Sequence, residues 1–365
     1  MVERAEELAQ LMLPAFNTLT GVPLGRMRPG ENITYASDLA LYSGEVVLAE
    51  ATSMLLEYTR LWQVTGNRTY FDRVQRVTDF LDRNMTKLSQ FGTLLPAVLY
   101  PEEGIVSSKY SFGGGLDSYY EYLVKEHQLL GGVLPQYERM FTEAMDSAEQ
   151  HLWKNVTVVP HAPSLSVVVS SMGHGRSQVS LEHLACFSGG MMALGSRIVP
   201  DRRHYLNIAR MTTETCYWGY NSSLTGLGAE ALEFYHPQDK DLYRVVTEAD
   251  GTRHRGPPVG DPFVGVRYIW HEDYRNRPEV IESVLYMWRT TGDPVWQERG
   301  WQMFASWMTH CLTRSGTSTI YDVNAVPVRH SDSMESFVLA ETFKYYYLLF
   351  SPPDLVSLDD FVFST

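Results

Sequence analysis

The sequence predicts an all-α fold made of successive helix pairs, arranged in a ring or a solenoid. Two distant segments share one pattern: an apolar helix, a short turn and a second amphipathic helix. The turns are Thr65-Gly66-Asn67 and Thr291-Gly292-Asp293, and glycine suits a helix C-cap because it adopts the left-handed backbone readily. A recurring unit of this kind buries its apolar face against its neighbours. Varying unit lengths and long inserts disfavour a TPR-type solenoid.

The predicted units can be placed in chain order. Residues 2–16 are typical of the second helix of a pair, whose first helix and turn are missing from the sequence. Because the chain also stops abruptly at Ser364-Thr365, we expect a fragment of a longer protein or a truncated gene product. The later pairs are predicted over residues 56–81, 121–153, 186–217 and 282–312. A last helix is predicted over residues 334–350, ahead of Pro352-Pro353.

Four inserts interrupt the helices, at residues 18–34, 104–115, 158–179 and 235–276. The third is rich in Val and Ser and is predicted to form a short hairpin. The fourth is polar and contains Asp250-Gly251, which is a strong signal for a hairpin turn. The inserts therefore add small β-structures to a helical frame.

Composition and charge exclude several classes of protein. The chain has 365 residues, of which 44% are hydrophobic, so it can bury a large core. Its formal net charge of -13 disfavours nucleic-acid binding, for which a basic face is expected. No long apolar run is present and no apolar segment follows Met1-Val2-Glu3-Arg4, so we expect neither a membrane span nor a signal peptide within this chain.

Glycosylation motifs and cysteines point to the secretory pathway. Asn-x-Ser/Thr motifs begin at Asn32, Asn67, Asn84, Asn155 and Asn221. One or two such motifs are expected by chance, whereas five favour a protein of the secretory pathway. Three cysteines fit one disulfide and one unpaired thiol, and their number alone leaves the pairing open.

The segment over residues 277–283 is the strongest candidate for a functional site. Pro278 suits the first position of a helix, and Glu279 and Glu282 then lie three residues apart on one helix face. Acidic residues in a first turn also complement the helix dipole, so end-capping is the alternative interpretation. Apolar residues follow Glu282, which predicts a buried carboxylate, and clustered buried carboxylates are usually functional.

Five blocks in a fixed order carry a resemblance to a known family. They are GGGLDSYYEYL (113–123), HLACFSGG (183–190), GLGAE (226–230), RPEVIES (277–283) and MESFVLAET (334–342). The blocks resemble those of class I α-1,2-mannosidases, glycoside hydrolase family 47, although Ala229 replaces a proline. The resemblance implies an all-α fold, an (α/α)7 barrel incomplete at its N-terminus, with small β-hairpin inserts. It also implies a single catalytic domain over residues 1–365, without the first helices and the extreme C-terminus.

This family implies inverting, Ca²⁺-dependent hydrolysis of terminal α-1,2-linked mannose from high-mannose N-glycans. Inversion needs an acid for the leaving oxygen and a base for a water on the opposite face. The resemblance assigns the base to Glu279 and further catalytic carboxylates to Asp117 and Glu230. It places in the sugar pocket Arg277, Glu282, Glu50, His183 and Glu341, with Phe337 as an aromatic platform. It also implies Thr365 as the direct calcium ligand, a Cys186–Cys216 disulfide and Cys311 as the free thiol.

Several of these residues also have a simpler interpretation. Asp117 fits an ordinary N-cap, and Glu50 and Glu57 fit solvated positions of an amphipathic helix. His183 and Phe337 fit the core on spacing alone. The assignment of Glu230 is the weakest among the catalytic carboxylates because its proline neighbour is replaced.

Two departures from the family pattern suggest a second function. The family's acid lies in a Phe-Glu-x-x-Ile-Arg segment, which belongs just before Met1, and the residues after the calcium-binding Thr365 are also missing. General-acid help is worth about 10²–10⁴-fold, so we expect very low turnover from this chain. The alternative is a glycan-binding protein with weak catalysis, similar to the mannosidase-like lectins of ER quality control.

We expect a monomer of the ER, the Golgi lumen or the extracellular space.

The carboxylates are predicted to converge in one cavity near Arg277, His183 and Phe337. The six are Glu50, Asp117, Glu230, Glu279, Glu282 and Glu341. Like charges in a dry site raise one another's pKa, so a counter-charge is needed. We expect it from Arg277 and from Ca²⁺ at Thr365.

Overall fold

The computed structural model describes residues 1–27, 44–100, 104–105, 109–157, 164–168, 170–171, 177–234, 245–247, 253–255 and 266–365. The α-helices are α1 (Val2–Met12), α2 (Leu48–Thr52), α3 (Leu55–Thr65), α4 (Thr69–Phe80), α5 (Asp117–Leu129), α6 (Pro135–His151), α7 (Phe187–Ile198), α8 (Tyr205–Asn221), α9 (Glu279–Thr291), α10 (Val295–Cys311) and α11 (Phe343–Leu349). The strands are β1 (Val46–Val47), β2 (Val98–Tyr100), β3 (Gly104–Ile105), β4 (Trp153–Thr157), β5 (Ser164–Val168), β6 (Ser170–Ser171), β7 (Ser177–Gln178), β8 (Ser180–Glu182), β9 (Ala231–Phe234), β10 (Val245–Thr247), β11 (Arg253–Arg255) and β12 (Val266–His271). The 3-10 turns are Leu13–Phe16 and His183–Cys186, and the π-helical turns are Leu81–Met85 and Val338–Thr342.

The described residues fall into two compact units. The first contains those of Met1–Leu152, Ser171–Arg176 and Phe361–Thr365, and the second contains those of Trp153–Ser170 and Ser177–Asp360. In the first unit α3 packs against α4 and α5 against α6. In the second, α7 packs against α8 and α9 against α10. The helix pairs predicted from the sequence are therefore confirmed within each unit.

The turn between α3 and α4 has the predicted chemistry. Gly66 caps α3 with a left-handed φ of 76°. The hydroxyl of Thr65 accepts a hydrogen bond from the backbone N–H of Asn67 at 3.2 Å. The side-chain oxygen of Asn67 in turn accepts from the N–H of Thr69 at 3.1 Å, which satisfies one free donor at the start of α4.

The turn between α9 and α10 repeats these contacts in the second unit. Gly292 caps α9 with φ 67°. The N–H of Asp293 donates to the Thr291 hydroxyl at 3.2 Å, and the N–H of Val295 donates to Asp293 Oδ1 at 3.1 Å. The similar triplets of the two segments therefore form the same turn.

One helix in each unit is buried on nearly all sides. In α5 the run from Tyr119 to His127 is buried, and in α7 the run from Phe187 to Ser196 is buried. The small residues Gly189 and Gly190 let α7 approach its neighbours, because a side chain at Gly190 would meet Tyr286 and Ser283 of α9. A helix surrounded by protein has no solvated face, so its polar groups need partners within the protein.

A three-stranded antiparallel sheet in the second unit was not predicted. Its order is β12-β9-β8. The pairs Glu182↔Ala231 and His271↔Ala231 bring the end of β8, the start of β9 and the end of β12 to the same side. This sheet edge positions the candidate site described below.

The predicted hairpins are largely where the inserts were expected. Strands β4 and β5 pair antiparallel from Trp153↔Val168 to Thr157↔Ser164, so the hairpin begins five residues before the predicted residue 158. Strands β10 and β11 pair on either side of the predicted Asp250-Gly251 turn, whose own residues lie outside the described part of the chain.

The last predicted helix begins later than expected. Helical structure starts with the π-helical turn Val338–Thr342 and continues into α11, rather than beginning at Met334. The residues just before Met334 pair with Thr319, whose N–H donates to the carbonyl of Ser333 at 3.0 Å. That tertiary pairing overrides the helical pattern.

The cysteines are arranged as the family resemblance implies. Cys186 and Cys216 form a disulfide with a Cα–Cα distance of 5.9 Å, and Cys311 is free and buried. The bond joins the 3-10 turn that begins at His183 to α8.

Among the described residues, every helix is too short or too polar to cross a bilayer.

Candidate active site

Backbone hydrogen bonds at the end of the β12-β9-β8 sheet bring three site segments together. The N–H of His183, just after β8, donates to the carbonyl of Glu230 at 2.9 Å. The N–H of Glu230, just before β9, donates to the carbonyl of Asp273 at 3.0 Å. Asp273 leads into Arg277 and then into α9, so residues far apart in the sequence meet at one sheet edge.

His183 lies between a carboxylate and a phenol. Its Nδ1 is 2.8 Å from Glu279 Oε2 and its Nε2 is 2.7 Å from the hydroxyl of Tyr220. Burial raises the pKa of Tyr220 well above its usual value, so this phenol stays protonated. Its O–H therefore donates a hydrogen bond to Nε2 of His183. The imidazole then has its hydrogen on Nδ1. This N–H donates a hydrogen bond to Glu279 and so orients the carboxylate.

Arg277 and Glu230 form a second polar pair in the same unit. Arg277 Nε donates to Glu230 Oε2 at 2.6 Å. Burial alone would lower the pKa of Arg277, but the carboxylates of Glu279 and Glu230 outweigh it and the pKa is raised. The guanidinium also lies 5.7 Å from the ring centroid of Phe337. Arg277 therefore supplies a permanent positive charge among the carboxylates of this unit.

Glu230 retains an unsatisfied oxygen. Its side chain is only 9% exposed, and its Oε1 has no hydrogen-bond partner among the described residues. A buried carboxylate oxygen without a partner is costly. It therefore points towards a ligand or a water at this position.

The remaining predicted residues of the second unit lie on α9 and the π-helical turn. Glu282 is 2% exposed and accepts a hydrogen bond from the hydroxyl of Tyr345 at 3.0 Å, so it faces the interior as expected. Glu341 lies beside Thr342, whose hydroxyl donates to the carbonyl of Asn276 at 2.7 Å.

Asn276 is a positioning residue that the sequence did not reveal. It has a left-handed backbone with φ 59° and is fully buried. Its side-chain oxygen accepts from the indole N–H of Trp307 at 2.6 Å. Together with the bond from Thr342, this contact fixes the residue immediately before Arg277. The available signal was an asparagine after a polar loop, because asparagine adopts positive φ more readily than most residues.

The first unit brings Glu50 and Asp117 near one another. The N–H of Ala49, next to Glu50, donates to the carbonyl of Gly115 at 3.0 Å. The hydroxyls of Ser53 and Ser118 lie 2.6 Å apart and link the end of α2 to the start of α5. Asp117 is the first residue of α5 rather than its N-cap, and Glu50 is exposed.

Thr365 lies among oxygen atoms of the first unit. The Tyr122 hydroxyl lies 3.1 Å from the Thr365 carbonyl oxygen, and the Thr365 hydroxyl donates to Glu121 Oε2 at 3.3 Å. Tyr122 also lies 3.1 Å from Glu57 Oε1. Burial raises the pKa of Glu57, while the bond to Tyr122 opposes the rise. Lys125 pairs with the other oxygen of the buried Glu121.

The structure thus forms two groups of predicted residues, one in each unit. The second unit joins His183, Glu230, Arg277, Glu279 and Phe337 by direct contacts, with Glu282 on the same helix as Glu279. The first unit holds Glu50, Asp117 and Thr365. The convergence of both groups in one cavity stays a prediction. Tyr220, Tyr345 and Glu121 were not predicted as site residues. Tyr220 and Tyr345 lie among apolar residues, where a tyrosine fits the core, and Glu121 fits an ordinary ion pair with Lys125 four residues later.

Comparisons with known proteins give a consistent result. Residues 1–365 match glycosyl hydrolase family 47. The human mannosyl-oligosaccharide 1,2-alpha-mannosidase IC is 35% identical over 99% of this chain and 52% of its own length. Mannosyl-oligosaccharide alpha-1,2-mannosidase 1B of Emericella nidulans is 31% identical over 97% of this chain and 66% of its own length. The chain therefore spans about half the length of the first of these relatives.

A solved structure is also similar. The alpha-1,2-mannosidase from Trichoderma reesei aligns with a TM-score of 0.81 and 26% identity, over 96% of this chain and 69% of that one. This similarity assigns the chain to the fold class of that mannosidase, the (α/α)7 class predicted from the sequence.

Proposed function

The chain belongs to glycosyl hydrolase family 47, and we propose that it hydrolyses terminal α-1,2-linked mannose from high-mannose N-glycans. The observation that carries this proposal is the Glu279–His183 contact beside the Arg277–Glu230 pair. It places an oriented carboxylate, able to act as a base, next to a second carboxylate and a fixed cation. The relatives named as mannosyl-oligosaccharide mannosidases support the same substrate class.

In this proposal Glu279 acts as the general base. It takes a proton from a water whose oxygen bonds to the anomeric carbon of the terminal mannose. The bond from that carbon to the leaving oxygen breaks, and the leaving oxygen receives a proton from the carboxyl group of Asp117 or Glu230. Attack on the face opposite the leaving group converts the α-linkage into β-mannose. His183 keeps the Glu279 carboxylate in position, and Asp117 and Glu230 are the further catalytic carboxylates.

The sugar pocket draws on the other predicted residues. Arg277 and the unsatisfied oxygen of Glu230 offer a donor and an acceptor for sugar hydroxyls. Phe337, next to Arg277, offers an apolar face to the ring of the mannose. Glu50, Glu282 and Glu341 complete the proposed set.

The oxygens around Thr365 fit a calcium ion. Family 47 is in general a metal-dependent mannosidase family. Ca²⁺ takes six to eight oxygen ligands, and Thr365 brings a hydroxyl and a carbonyl close to the carboxylates of Glu121 and Glu57. We propose that these residues hold the ion, directly or through waters. When bound, Ca²⁺ would supply a counter-charge for the carboxylates and polarise a nearby water.

We also place the protein in the secretory pathway. Disulfides persist in oxidising compartments, and the chain holds one between Cys186 and Cys216. The glycosylation motifs at Asn84, Asn155 and Asn221 have exposed asparagines, so each can carry a glycan on the folded protein. The motif at Asn32 lies outside the described residues.

The proposal is tested by following the hydrolysis of α-1,2-mannobiose by ¹H NMR. We expect β-mannose as the first product, before mutarotation. Glu279→Gln keeps the shape and removes the base, so the low kcat expected of this chain should fall further, by about 10²–10⁴-fold, while the Kd for the disaccharide changes little. The matched control Glu298→Gln replaces an exposed glutamate on α10 and should leave kcat unchanged.

Two results would contradict this assignment. One is α-mannose as the first product, and the other is an unchanged rate in Glu279→Gln. If the unaltered chain binds the disaccharide and releases no mannose, the alternative of a glycan-binding protein with weak catalysis is favoured instead.

A further inference from the structure

A cavity of about 680 Å³ lies in the second unit, between the end of β12 and the extended segment after α10. Its walls include Trp270, Glu272 and Arg275 on one side and Thr319, Tyr321 and Glu335 on the other. The volume falls within the range of about 300–1,000 Å³ that is usual for ligand sites. None of these residues belongs to the predicted sugar pocket.

Two aromatic rings on the cavity wall are exposed yet held in place. Trp270 is 50% exposed and its indole N–H donates to Glu233 Oε2 at 2.9 Å. Tyr321 is 47% exposed, and the guanidinium of Arg329 lies 4.1 Å from its ring centroid. A fixed exposed ring loses little conformational entropy on binding, so both rings are suited to receive an apolar ligand face.

The polar groups of the cavity match a ligand rich in hydroxyl groups. Glu272 and Glu335 provide acceptors, and Arg275 provides donors. The hydroxyl of Thr319 is buried, in a residue only 7% exposed, and has no hydrogen-bond partner among the described residues. A buried hydroxyl without a partner calls for an explanation, and a bound polar ligand provides one. Apolar rings together with such groups fit a saccharide, which has both C–H faces and hydroxyls.

The cavity adjoins the candidate active site. Arg275 donates to Asp273 at 2.6 Å and lies 3.9 Å from Glu230 Oε2, the same oxygen that binds Arg277. A chain of sugars that places its terminal unit near Arg277 would therefore run past Arg275 towards Trp270 and Tyr321.

We propose that this cavity binds the sugar units that follow the terminal mannose. This inference rests on the proposed function and extends it, since it makes the affinity depend on the length of the oligosaccharide. Trp270 and Tyr321 contact the apolar faces of these inner sugars, while Arg275 and Thr319 bind their hydroxyls.

The test measures binding by calorimetry in the Glu279→Gln chain, which should not consume its ligand. Two probes are compared: methyl α-mannoside, which reaches only the terminal pocket, and a high-mannose oligosaccharide. Adding Trp270→Ala or Tyr321→Ala should weaken oligosaccharide binding about 10-fold, or about 1.4 kcal/mol, and leave methyl α-mannoside binding unchanged. Trp270→Phe retains a ring and should restore most of the affinity.

The matched control is Trp301→Ala, which removes a tryptophan of α10 that is 58% exposed and lies outside the cavity wall. It should change neither affinity, and circular dichroism should show all variants folded. If methyl α-mannoside binds but the oligosaccharide binds no tighter, or binds equally well without Trp270 and Tyr321, the cavity proposal is wrong while the proposed function stands. If only the oligosaccharide binds, and Trp270→Ala abolishes that binding, the cavity proposal holds and the terminal mannose pocket is wrong. Failure to bind either probe would overturn both.

Discussion

The carboxyl group of Glu126 shows how burial controls the charge of a single residue. Glu126 is fully buried in α5, and one oxygen of its carboxyl group accepts a hydrogen bond from the Thr59 hydroxyl at 2.6 Å. Its other oxygen has no hydrogen-bond partner among the described residues. Burial therefore raises its pKa from about 4.5 to about 8, and the charge of Glu57 adds to the rise.

This raised pKa predicts a pH-dependent stability. Because the folded pKa exceeds the unfolded one, the contribution of Glu126 is fully present below pH 4.5 and is lost as pH rises towards 8. The free energy of unfolding should fall by up to about 1.4 kcal/mol per pH unit within this window. Glu126→Gln cannot ionise, so its stability should fall less steeply, and it should be the more stable protein at pH 8.5.

Urea unfolding between pH 5 and 8.5 checks this prediction. Glu3→Gln, at an exposed glutamate of α1, should follow the unaltered chain at every pH. Parallel pH profiles for Glu126→Gln and the unaltered chain would show that Glu126 is not protonated in the folded state.

At the same scale, the sequence pointed to candidate charged residues more readily than to the residues that contact the candidate site. Glu279 and Arg277 were predicted because they share one short block with a recognisable pattern. Tyr220 and Asn276 were not, because Tyr220 meets His183 across 37 residues and Asn276 meets Trp307 across 31. Partner choice at such separations is decided by packing, which no local pattern encodes.

Among the elements, helices and turns were predicted more reliably than strands. The Thr-Gly-Asn/Asp turn is local: its hydrogen bonds join residues two apart, so the triplet itself carries the information. The β12-β9-β8 sheet joins strands of six, four and three residues that are distant in sequence. Strands this short have almost no alternating pattern, although their pairing positions His183 and Glu230.

The disulfide is the covalent link between two of these elements. Cys186 lies in the 3-10 turn that begins at His183, and Cys216 lies 30 residues later in α8. Closing a loop of that length is worth about 3–4 kcal/mol by the chain-entropy estimate. The double variant Cys186→Ala/Cys216→Ala should therefore lose about this much free energy of unfolding, as measured by urea unfolding.

Reductant provides the control for the disulfide prediction. Dithiothreitol should destabilise both the unaltered chain and Cys311→Ala, since Cys311 is free. It should have no effect on the double variant. A double variant as stable as the unaltered chain would show that the disulfide contributes nothing to the folded state.

At the scale of the whole molecule, a chain with a net charge of -13 needs positive charges wherever its candidate carboxylates cluster. The second unit has its own cation in Arg277, close to Glu230. In the first unit, Lys125 pairs with Glu121, while Glu57 has a hydrogen bond from the neutral Tyr122. If Glu50 and Asp117 converge with the carboxylates of the second unit, as predicted from the sequence, Arg277 and the more distant Arg275 cannot offset the whole charge.

The last prediction follows from this imbalance. Ca²⁺ bound at Thr365 should stabilise the folded protein, because a ligand at 100 times its Kd contributes about 2.7 kcal/mol. Adding Ca²⁺ after EDTA treatment should therefore raise the unfolding temperature by a few degrees, measured by differential scanning fluorimetry. Thr365→Ala removes the hydroxyl that lies near Glu121 and should lose most of this shift. The control Thr309→Ala, at an exposed threonine of α10, should keep it. A shift that survives in Thr365→Ala would place the ion elsewhere, and no shift in the unaltered chain would mean that the carboxylates are balanced without calcium.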